Sequence, residues 1–170
     1  MFCKKKIFLI LIVIFFNSKT LASVKENIIQ NLENINNISF NFEQNINGKI
    51  ENGRCTIEYP KKIYCKYDLS NQKILVSNGQ SLVIKTISGF YQYPLSKTPL
   101  NFILNKEFLI KKINNLDERI VEEKFINLNF IENENEINIF FDTKTHNLIG
   151  WQTLDIYQNL SITYLNSIIK

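Results

Sequence analysis

The sequence has little of the residues that punctuate, cross-link or catalyse: 170 residues include five glycines, three prolines, three cysteines and one histidine. So little glycine and proline excludes collagen-like and low-complexity chains. No glycine loop for phosphate or dinucleotide binding occurs. We therefore expect a globular domain that holds no such cofactor.

The single histidine limits the chemistry that the chain can perform. Serine and cysteine hydrolases most often use histidine as the base, and zinc usually takes four ligands. His146 follows Asp142 in a stretch typical of a solvated turn. Glu132, Glu134 and Glu136 alternate with asparagines, a pattern that favours a charged hairpin tip over an acid and base pair. We predict neither an enzyme nor a metal site.

The formal net charge of +4 does not belong to the body of the chain. Lys4, Lys5, Lys6 and Lys19 precede residue 23, and no acidic residue does. The remaining 16 basic and 16 acidic residues cancel from Ser23 onward. A neutral body has no long-range field to attract phosphates, so we predict no nucleic-acid partner.

Residues 1–22 have the three zones of a secretory signal peptide. The basic residues 4–6 precede an apolar run over residues 7–16, and small residues at Thr20 and Ala22 permit cleavage before Ser23. The run has ten residues, whereas a spanning helix needs about 20. We predict an exported domain over residues 23–170; the alternative is an uncleaved membrane anchor.

Cys55 and Cys65 lie in two alternating runs that flank Pro60. Both runs are typical of strands, and the period of two places both cysteines on the same face of a hairpin. A disulfide is expected after export, since exported proteins meet an oxidising environment. Two buried free thiols would give the same pattern.

The mature chain is predicted to be α+β. Ser23 and Glu26 form a capping-box pattern before a helix ending near residues 36–37, and alternation from Ile38 predicts a strand. Antiparallel strands are then separated by regular turn signals, at residues 47–48, 52–53, 60–61, 70–71, 78–79 and 88–89. Thr98 and Pro99 predict the cap and first position of a short helix, which residues 108–113 continue before the strands resume.

Large apolar residues at strand period are candidates for one concave face. A curved sheet that does not close leaves a hollow that a helix must cover, and acyl chains would be stabilised there. A filled core is the alternative. The candidate lipid-binding residues on strands and on the covering helix are Phe40, Phe42, Ile57, Tyr59, Ile63, Tyr67, Leu75, Leu82, Ile84, Leu100, Ile103, Leu104, Phe140 and Trp151.

Several segments together follow the order of one known family. Ile38–Gln44 carries an aromatic-x-Gln pattern in a strand, and Gly53–Tyr67 a first hairpin. Ile74–Gln80 is an apolar run ending in a turn signal. Tyr93–Leu100 carries a Tyr-Pro-Leu…Thr-Pro-Leu stretch, and Phe141–Asp155 a terminal hairpin. In this order the segments resemble the LolA-type carriers, which move lipoproteins from the inner to the outer membrane and in which the Tyr-Pro-Leu stretch leads into a lid helix.

The resemblance implies an unclosed antiparallel half-barrel with an N-terminal helix and a helical lid, whose hydrophobic cavity holds lipoprotein acyl chains without enzymatic activity. It implies a periplasmic protein, here expected to be a monomer, with acylated lipoproteins as cargo. Its partners would be an inner-membrane lipoprotein-releasing transporter and an outer-membrane receptor. The alternative is a carrier or sensor of other lipids or glycolipids on the same scaffold.

One position departs from the family pattern. The family usually has arginine before the hairpin proline, where it helps to hold the lid closed, and here that position is Tyr59. Tyrosine offers one hydroxyl where arginine offers five donors. We expect Tyr59 to make a single lid contact or merely to pack.

Overall fold

The computed structural model describes residues 23–68, 72–155 and 157–170, so the predicted signal peptide lies outside the described residues. The helices are α1 (Val24–Glu33), α2 (Leu100–Ile103) and α3 (Lys106–Asn115), with a 3-10 turn over Leu95–Lys97. The strands are β1 (Asn37–Ile46), β2 (Lys49–Glu58), β3 (Lys62–Tyr67), β4 (Ile74–Asn78), β5 (Ser81–Thr86), β6 (Gly89–Pro94), β7 (Arg119–Val121), β8 (Phe125–Glu132), β9 (Asn135–Asp142), β10 (Leu148–Leu154) and β11 (Leu160–Ile169).

All strands belong to one antiparallel sheet, in the order β6-β5-β4-β3-β2-β1-β11-β10-β9-β8-β7. The strands at the two ends of this order, β6 and β7, do not pair with each other, so the sheet remains open. Within the described part of the chain, only the β1–β11 pairing joins strands distant in sequence. The predicted α+β fold with an unclosed sheet and an N-terminal helix is confirmed.

Helix α1 begins as its sequence predicts. The Ser23 hydroxyl accepts a hydrogen bond from the Glu26 amide, and the Glu26 carboxylate accepts one from the Ser23 amide. Ile28 and Leu32 are buried one turn apart on the helix face that meets the sheet. The helix ends at Glu33, earlier than predicted, because the chain turns and β1 already pairs with β2 from Asn37.

Four of the predicted turns join consecutive strands, at residues 47–48, 60–61, 78–79 and 88–89. The signal at residues 70–71 lies outside the described residues. The turn predicted at residues 52–53 is wrong, because Gly53 lies within β2 between Phe42 and Tyr67. A Cβ on Gly53 would collide with the Lys66 carbonyl oxygen and the Phe42 ring, so this glycine permits close strand approach.

The lid segment between β6 and β7 contains both short helices. Thr98 does not cap α2; its hydroxyl donates to the Leu95 carbonyl, 2.9 Å away, and closes the 3-10 turn. Asn105 caps α3 instead, its side-chain oxygen accepting from the Phe108 amide at 3.2 Å. Helix α3 buries Leu109 and packs against α1. None of the helices among the described residues is long and apolar enough to cross a membrane.

The most completely buried large side chains lie on the helices, the lid and strands β2, β8 and β9, as follows: Ile28, Leu32, Ile57, Leu95, Ile103, Leu104, Leu109, Ile113, Ile126, Leu128, Ile137 and Phe141. Among the described residues, none of this group lies on β3 to β6. The most completely filled part of the core therefore does not extend along β3 to β6.

Candidate functional site

A cavity of about 380 Å³ lies over β1 to β6 and is also walled by the lid and by β10 and β11. Phe42, Ile63, Leu75 and Leu82 contribute apolar side chains from the strands. The lid contributes Pro99 and Leu100 to the wall, and β10 contributes Trp151. The volume is in the range of small-molecule sites, about 300–1,000 Å³.

Strand register places the apolar part of this wall toward one end of the strands. Cys55 pairs with Cys65, Cys65 with Leu75 and Leu75 with Ile84, so these four residues form one row across β2 to β5. Leu82, two residues before Ile84, lies farther toward the end where β6 leads into the lid. The wall at this end of the strands is therefore mostly apolar, although Tyr91 and Tyr93 of β6 and Thr98 of the lid also belong to it.

The other end of the cavity, which we call the mouth, is polar. Gln44 pairs with both Glu51 and Thr163, and Thr163 pairs with Trp151, so one row of residues crosses β2, β1, β11 and β10. This row is nearer to the β1–β2, β5–β6 and β10–β11 turns than the apolar row is. The cavity thus has a polarity gradient along the strands.

Glu51 is the centre of a charged cluster at the mouth. Its side chain is only 6% exposed, and its two oxygens accept from Lys49 at 2.9 Å and Lys73 at 2.5 Å. Lys73 also lies over the Tyr67 ring, with its nitrogen 4.1 Å from the centroid. Burial opposes ionisation, but the hydrogen bonds and charges of the two lysines prevail and lower the pKa of Glu51 below its ordinary value.

A second polar network adjoins this cluster. The Tyr67 hydroxyl donates to the Gln44 side-chain oxygen at 3.0 Å. The Gln44 amide nitrogen donates to the Ser161 and Thr163 hydroxyls at 3.1 and 3.2 Å. Burial, and then the negative charge of Glu51, raise the pKa of Tyr67, so its hydroxyl stays a donor at neutral pH. The network orders β1, β3 and β11 around the mouth.

Two tyrosines meet across the cavity edge. The hydroxyls of Tyr93 on β6 and Tyr157 in the β10–β11 connection lie 3.4 Å apart. Both residues line the cavity, and the Tyr157 side chain is largely exposed. The contact with Tyr157 raises the pKa of Tyr93. This contact connects β6, an edge strand of the open sheet, to the β10–β11 connection.

The structure brings eight of the candidate lipid-binding residues together around the cavity. These are Phe42, Ile63, Tyr67, Leu75, Leu82, Ile84, Leu100 and Trp151. The other six are not in the cavity wall, namely Phe40, Ile57, Tyr59, Ile103, Leu104 and Phe140.

Most of these six residues belong to the filled core. Ile57, Ile103 and Leu104 have no exposed surface, and Phe40 packs edge-on against Trp151 with ring centroids 6.3 Å apart. Phe140 lies on the opposite face of the sheet, where it stacks on the exposed Tyr164. The side chains of β9 that face inward are those on either side of Phe140, namely Ile139 and Phe141, because strand residues alternate between faces.

Tyr59 packs and does not replace the family arginine as a donor. It lies against the core, burial raises its pKa to about 12, and its hydroxyl makes no hydrogen bond with the described residues. The lid is connected to this turn by backbone instead, since the Lys61 amide donates to the Leu104 carbonyl at 2.8 Å. The Lys106 ammonium adds bonds to the carbonyls of Glu33 and Ile35.

Cys55 and Cys65 are joined in the structure by a disulfide between directly paired residues of β2 and β3, with their Cα atoms 4.1 Å apart. Both residues line the cavity. The disulfide therefore connects the two strands at the middle of the wall.

The sequence analysis does not identify the polar residues of the mouth, although strand alternation places two of them at inward positions. Gln44 continues the inward series of Phe40 and Phe42 on β1, and Glu51 continues that of Gly53 and Cys55 on β2. A polar residue at an inward position is the informative exception in a strand. Lys73 carried no such signal, because it precedes β4 and lies outside any alternating run.

Other polar clusters do not form a site. The described residues contain no group of three His, Cys, Asp or Glu residues arranged to bind a metal ion. His146 lies in the β9–β10 turn, whose Asp142 carboxylate accepts from the Lys144 and Thr145 amides. Hydrogen bonds from Thr145 are the main reason that the pKa of Asp142 is lowered.

Comparison with known proteins adds a family. A family model described as outer membrane lipoprotein carrier protein LolA matches residues 33–169. No curated protein sequence matches the chain.

Solved structures with a similar fold include the MucA/MucB complex of Pseudomonas aeruginosa, at 13% identity and a TM-score of 0.48, covering 87% of this chain and 57% of that one. This chain thus spans little more than half of that chain's length. A LolA superfamily protein of Nitrosomonas europaea matches at 7% identity and a TM-score of 0.41, covering 86% and 93% of the two chains. The Mycobacterium tuberculosis lipoprotein LppX matches at 11% and 0.42, covering 86% and 97%.

Proposed function

This chain belongs to the LolA family of outer membrane lipoprotein carrier proteins, and we propose that it binds the acyl chains of lipoproteins in its cavity and carries them through the periplasm. The family match covers most of the sequence. The observation that carries the proposal is the unfilled apolar cavity beside a well-filled core.

The driving force of binding is the burial of hydrocarbon. Each buried methylene contributes about 0.8 kcal/mol. An apolar cavity of about 150 Å³ holds one benzene molecule, so 380 Å³ corresponds by proportion to about fifteen carbon atoms, or one acyl chain. Apolar side chains such as Leu75 and Leu82 would lie against that chain.

A cargo with more than one chain requires a larger cavity, and we propose that the lid provides it. Pro99 and Leu100 form part of the wall, so outward movement of the lid segment would enlarge the hollow. The backbone bonds from Lys61 to Leu104 and from Leu95 to Gln80, together with those of the Lys106 ammonium, resist this movement. The ion pair of Lys112 with Glu132 and the burial of Ile103 and Leu104 oppose it as well.

The compartment and partners belong to the same proposal. Export by the predicted signal peptide over residues 1–22 would bring Cys55 and Cys65 into an oxidising space, where their disulfide persists. A carrier that works between two membranes needs a donor and an acceptor. We propose an inner-membrane lipoprotein-releasing transporter and an outer-membrane receptor for these roles.

A transfer assay tests the proposal. Liposomes that carry an acylated lipoprotein are incubated with the protein, and the lipoprotein that remains soluble after sedimentation is measured. We expect the wild-type protein to solubilise it in a stoichiometric complex. Leu75→Trp should prevent this by filling the cavity, whereas Val76→Trp, at the neighbouring exposed position, should not.

The two variants are matched because adjacent residues of β4 point to opposite faces of the sheet. Each introduces the same side chain, so a general effect of tryptophan would appear in both. The proposal fails if the wild-type protein does not solubilise lipoprotein. It also fails if folded Leu75→Trp solubilises as much lipoprotein as the wild type does.

A further inference from the structure

The charged cluster at the mouth is not required to hold hydrocarbon. Acyl chains need only the apolar part of the wall, and buried charges are costly unless they are paired. Glu51, Lys49 and Lys73 nevertheless line the same cavity as Leu75 and Leu82. A cavity that is apolar at one end and charged at the other has the polarity of an amphiphile.

The two lysines have N–H donors that make no hydrogen bond, whereas both carboxylate oxygens of Glu51 already accept one. Each oxygen of Glu51 accepts from one lysine, and that bond is the only hydrogen bond of either ammonium within the described residues. An ammonium has three N–H donors. Two donors therefore remain on Lys49 and two on Lys73, and the three residues together have a net charge of +1.

Asp155 is the remaining charged residue in the cavity wall. Its carboxylate accepts from the amides of Tyr157 and Asn159 and from the Asn159 side chain. These bonds keep the Asp155 carboxylate paired with residues of the β10–β11 connection. The free hydrogen-bonding capacity for an anion at the mouth thus comes from the lysines, with the Ser161 and Thr163 hydroxyls nearby.

We propose that the cavity has a second cargo class: single-chain amphiphiles with an acidic head group, either a carboxylate or a phosphate monoester. The head group accepts hydrogen bonds from Lys49 and Lys73, and the chain lies against the wall around Leu75 and Leu82. The estimated space for about fifteen carbon atoms suits one chain. This assignment rests on the proposed function, because it requires that the cavity holds hydrocarbon.

Trp151 makes the test direct, since it lines the cavity and is the only tryptophan of the sequence. A bromododecanoate and the matching bromododecanol, which differ only in the head group, are titrated at neutral pH below their micellar concentrations. Quenching of Trp151 reports occupancy by either chain. We expect the acid to bind about tenfold more tightly than the alcohol, as charge-assisted hydrogen bonds are the stronger kind.

Two double variants separate the head group from general charge. Lys49→Met/Lys73→Met removes both cations of the mouth but keeps most of each side chain's apolar length. Lys66→Met/Lys85→Met removes two exposed cations of β3 and β5 that do not line the cavity. We expect the first variant to bind the acid no more tightly than the alcohol, because the Glu51 carboxylate then remains at the mouth without a cation, and the second to keep the wild-type preference.

The milder variant Lys49→Met protects the test against misfolding, because this side chain is 72% exposed. It should reduce the acid preference severalfold and leave the affinity for the alcohol unchanged. Inorganic phosphate alone should not displace the acid, since it lacks a chain.

The possible failures are distinguishable. Equal binding of acid and alcohol by the wild type, or a parallel loss of both in the lysine variants, would overturn the head-group site while leaving the cavity as a carrier. Displacement by inorganic phosphate would assign the cluster to free anions and overturn the amphiphile. Failure of both chains to quench Trp151 would remove the proposed function as well.

Discussion

Strands from the two halves of the sheet differ in how much of them is buried. On β9, which lies in the half carrying the filled core, five of the eight residues are buried. On β4 to β6, only Ser77 and Leu82 are buried, and apolar residues such as Ile84 remain partly accessible. Helices α1 and α3 pack together over a filled core, whereas only residues 98–100 of the lid segment line the cavity.

The comparison separates two properties that sequence patterns combine. Alternation determines which face of a strand a side chain occupies, because successive residues point to opposite sides. Whether that side chain is then buried depends on what covers the face. An apolar strand residue is therefore evidence for an inward face and not, by itself, for a filled core.

Removal of apolar side chains from the two halves should have unequal effects on stability. Ile139→Ala, at 1% exposure on β9, should lower the free energy of unfolding by about 2–5 kcal/mol. Leu75→Ala should cost less than about 1 kcal/mol, because its side chain already borders empty space and makes fewer contacts. Urea denaturation measures both values, and equal losses would mean that the second half is filled too.

The disulfide is expected to contribute the next largest effect. Its cysteines are 10 residues apart, and closing a loop of about that length stabilises a domain by about 2–3 kcal/mol in the chain-entropy model. Cys55→Ala/Cys65→Ala should lose this amount relative to the oxidised protein in denaturant unfolding. Reduction of the wild type is the control that leaves both side chains in place, and an unchanged midpoint after verified reduction would contradict the prediction.

The charged mouth should contribute to the pH dependence of stability. The folded-state pKa of Glu51 is below its ordinary value of 4.5, so its ionised form contributes stability above that value. That contribution is lost as pH falls through the folded-state pKa. Glu51→Gln should cost about 1–3 kcal/mol at neutral pH and flatten the acid limb of a stability curve.

Asp142 provides the background for this measurement, since its pKa is also lowered and it lies in a distant turn. Its contribution should persist in Glu51→Gln as a residual acid slope. An acid limb identical to that of the wild type would show that Glu51 does not titrate as described.

The smallest effect is expected at Tyr59, where the chain departs from the family. Its hydroxyl has no partner among the described residues, so Tyr59→Phe should change the free energy of unfolding by less than about 0.5 kcal/mol. Loading and release in the liposome assay should be unchanged. A clear change in release would restore the hydroxyl to a role in holding the lid.

The fold was predictable wherever a local signal had a local cause. The Ser23 and Glu26 pair marked the start of α1, and alternation marked the strands on both sides of the lid. Gly53 was misread because asparagine followed by glycine usually turns the chain. The real requirement was the close approach of the Lys66 carbonyl, which only the paired strand supplies.

The site was predictable only in part, for the same reason. Phe140 was assigned inward although Ile137, Ile139 and Phe141 already set the inward phase of β9. Ile57 was on the correct face, but the structure covers it completely. Which inward residues border a hollow depends on where the lid stops, and no pattern within a single strand contains that information.

Occupancy of the cavity by a cargo chain is the property on which the proposed function depends. Native mass spectrometry of the detergent-free protein, after incubation with a diacylated cysteine lipopeptide, should show a one-to-one adduct. Leu75→Trp should abolish the adduct and Val76→Trp should retain it. A folded wild-type protein that forms no adduct at any lipopeptide concentration below aggregation would contradict the account.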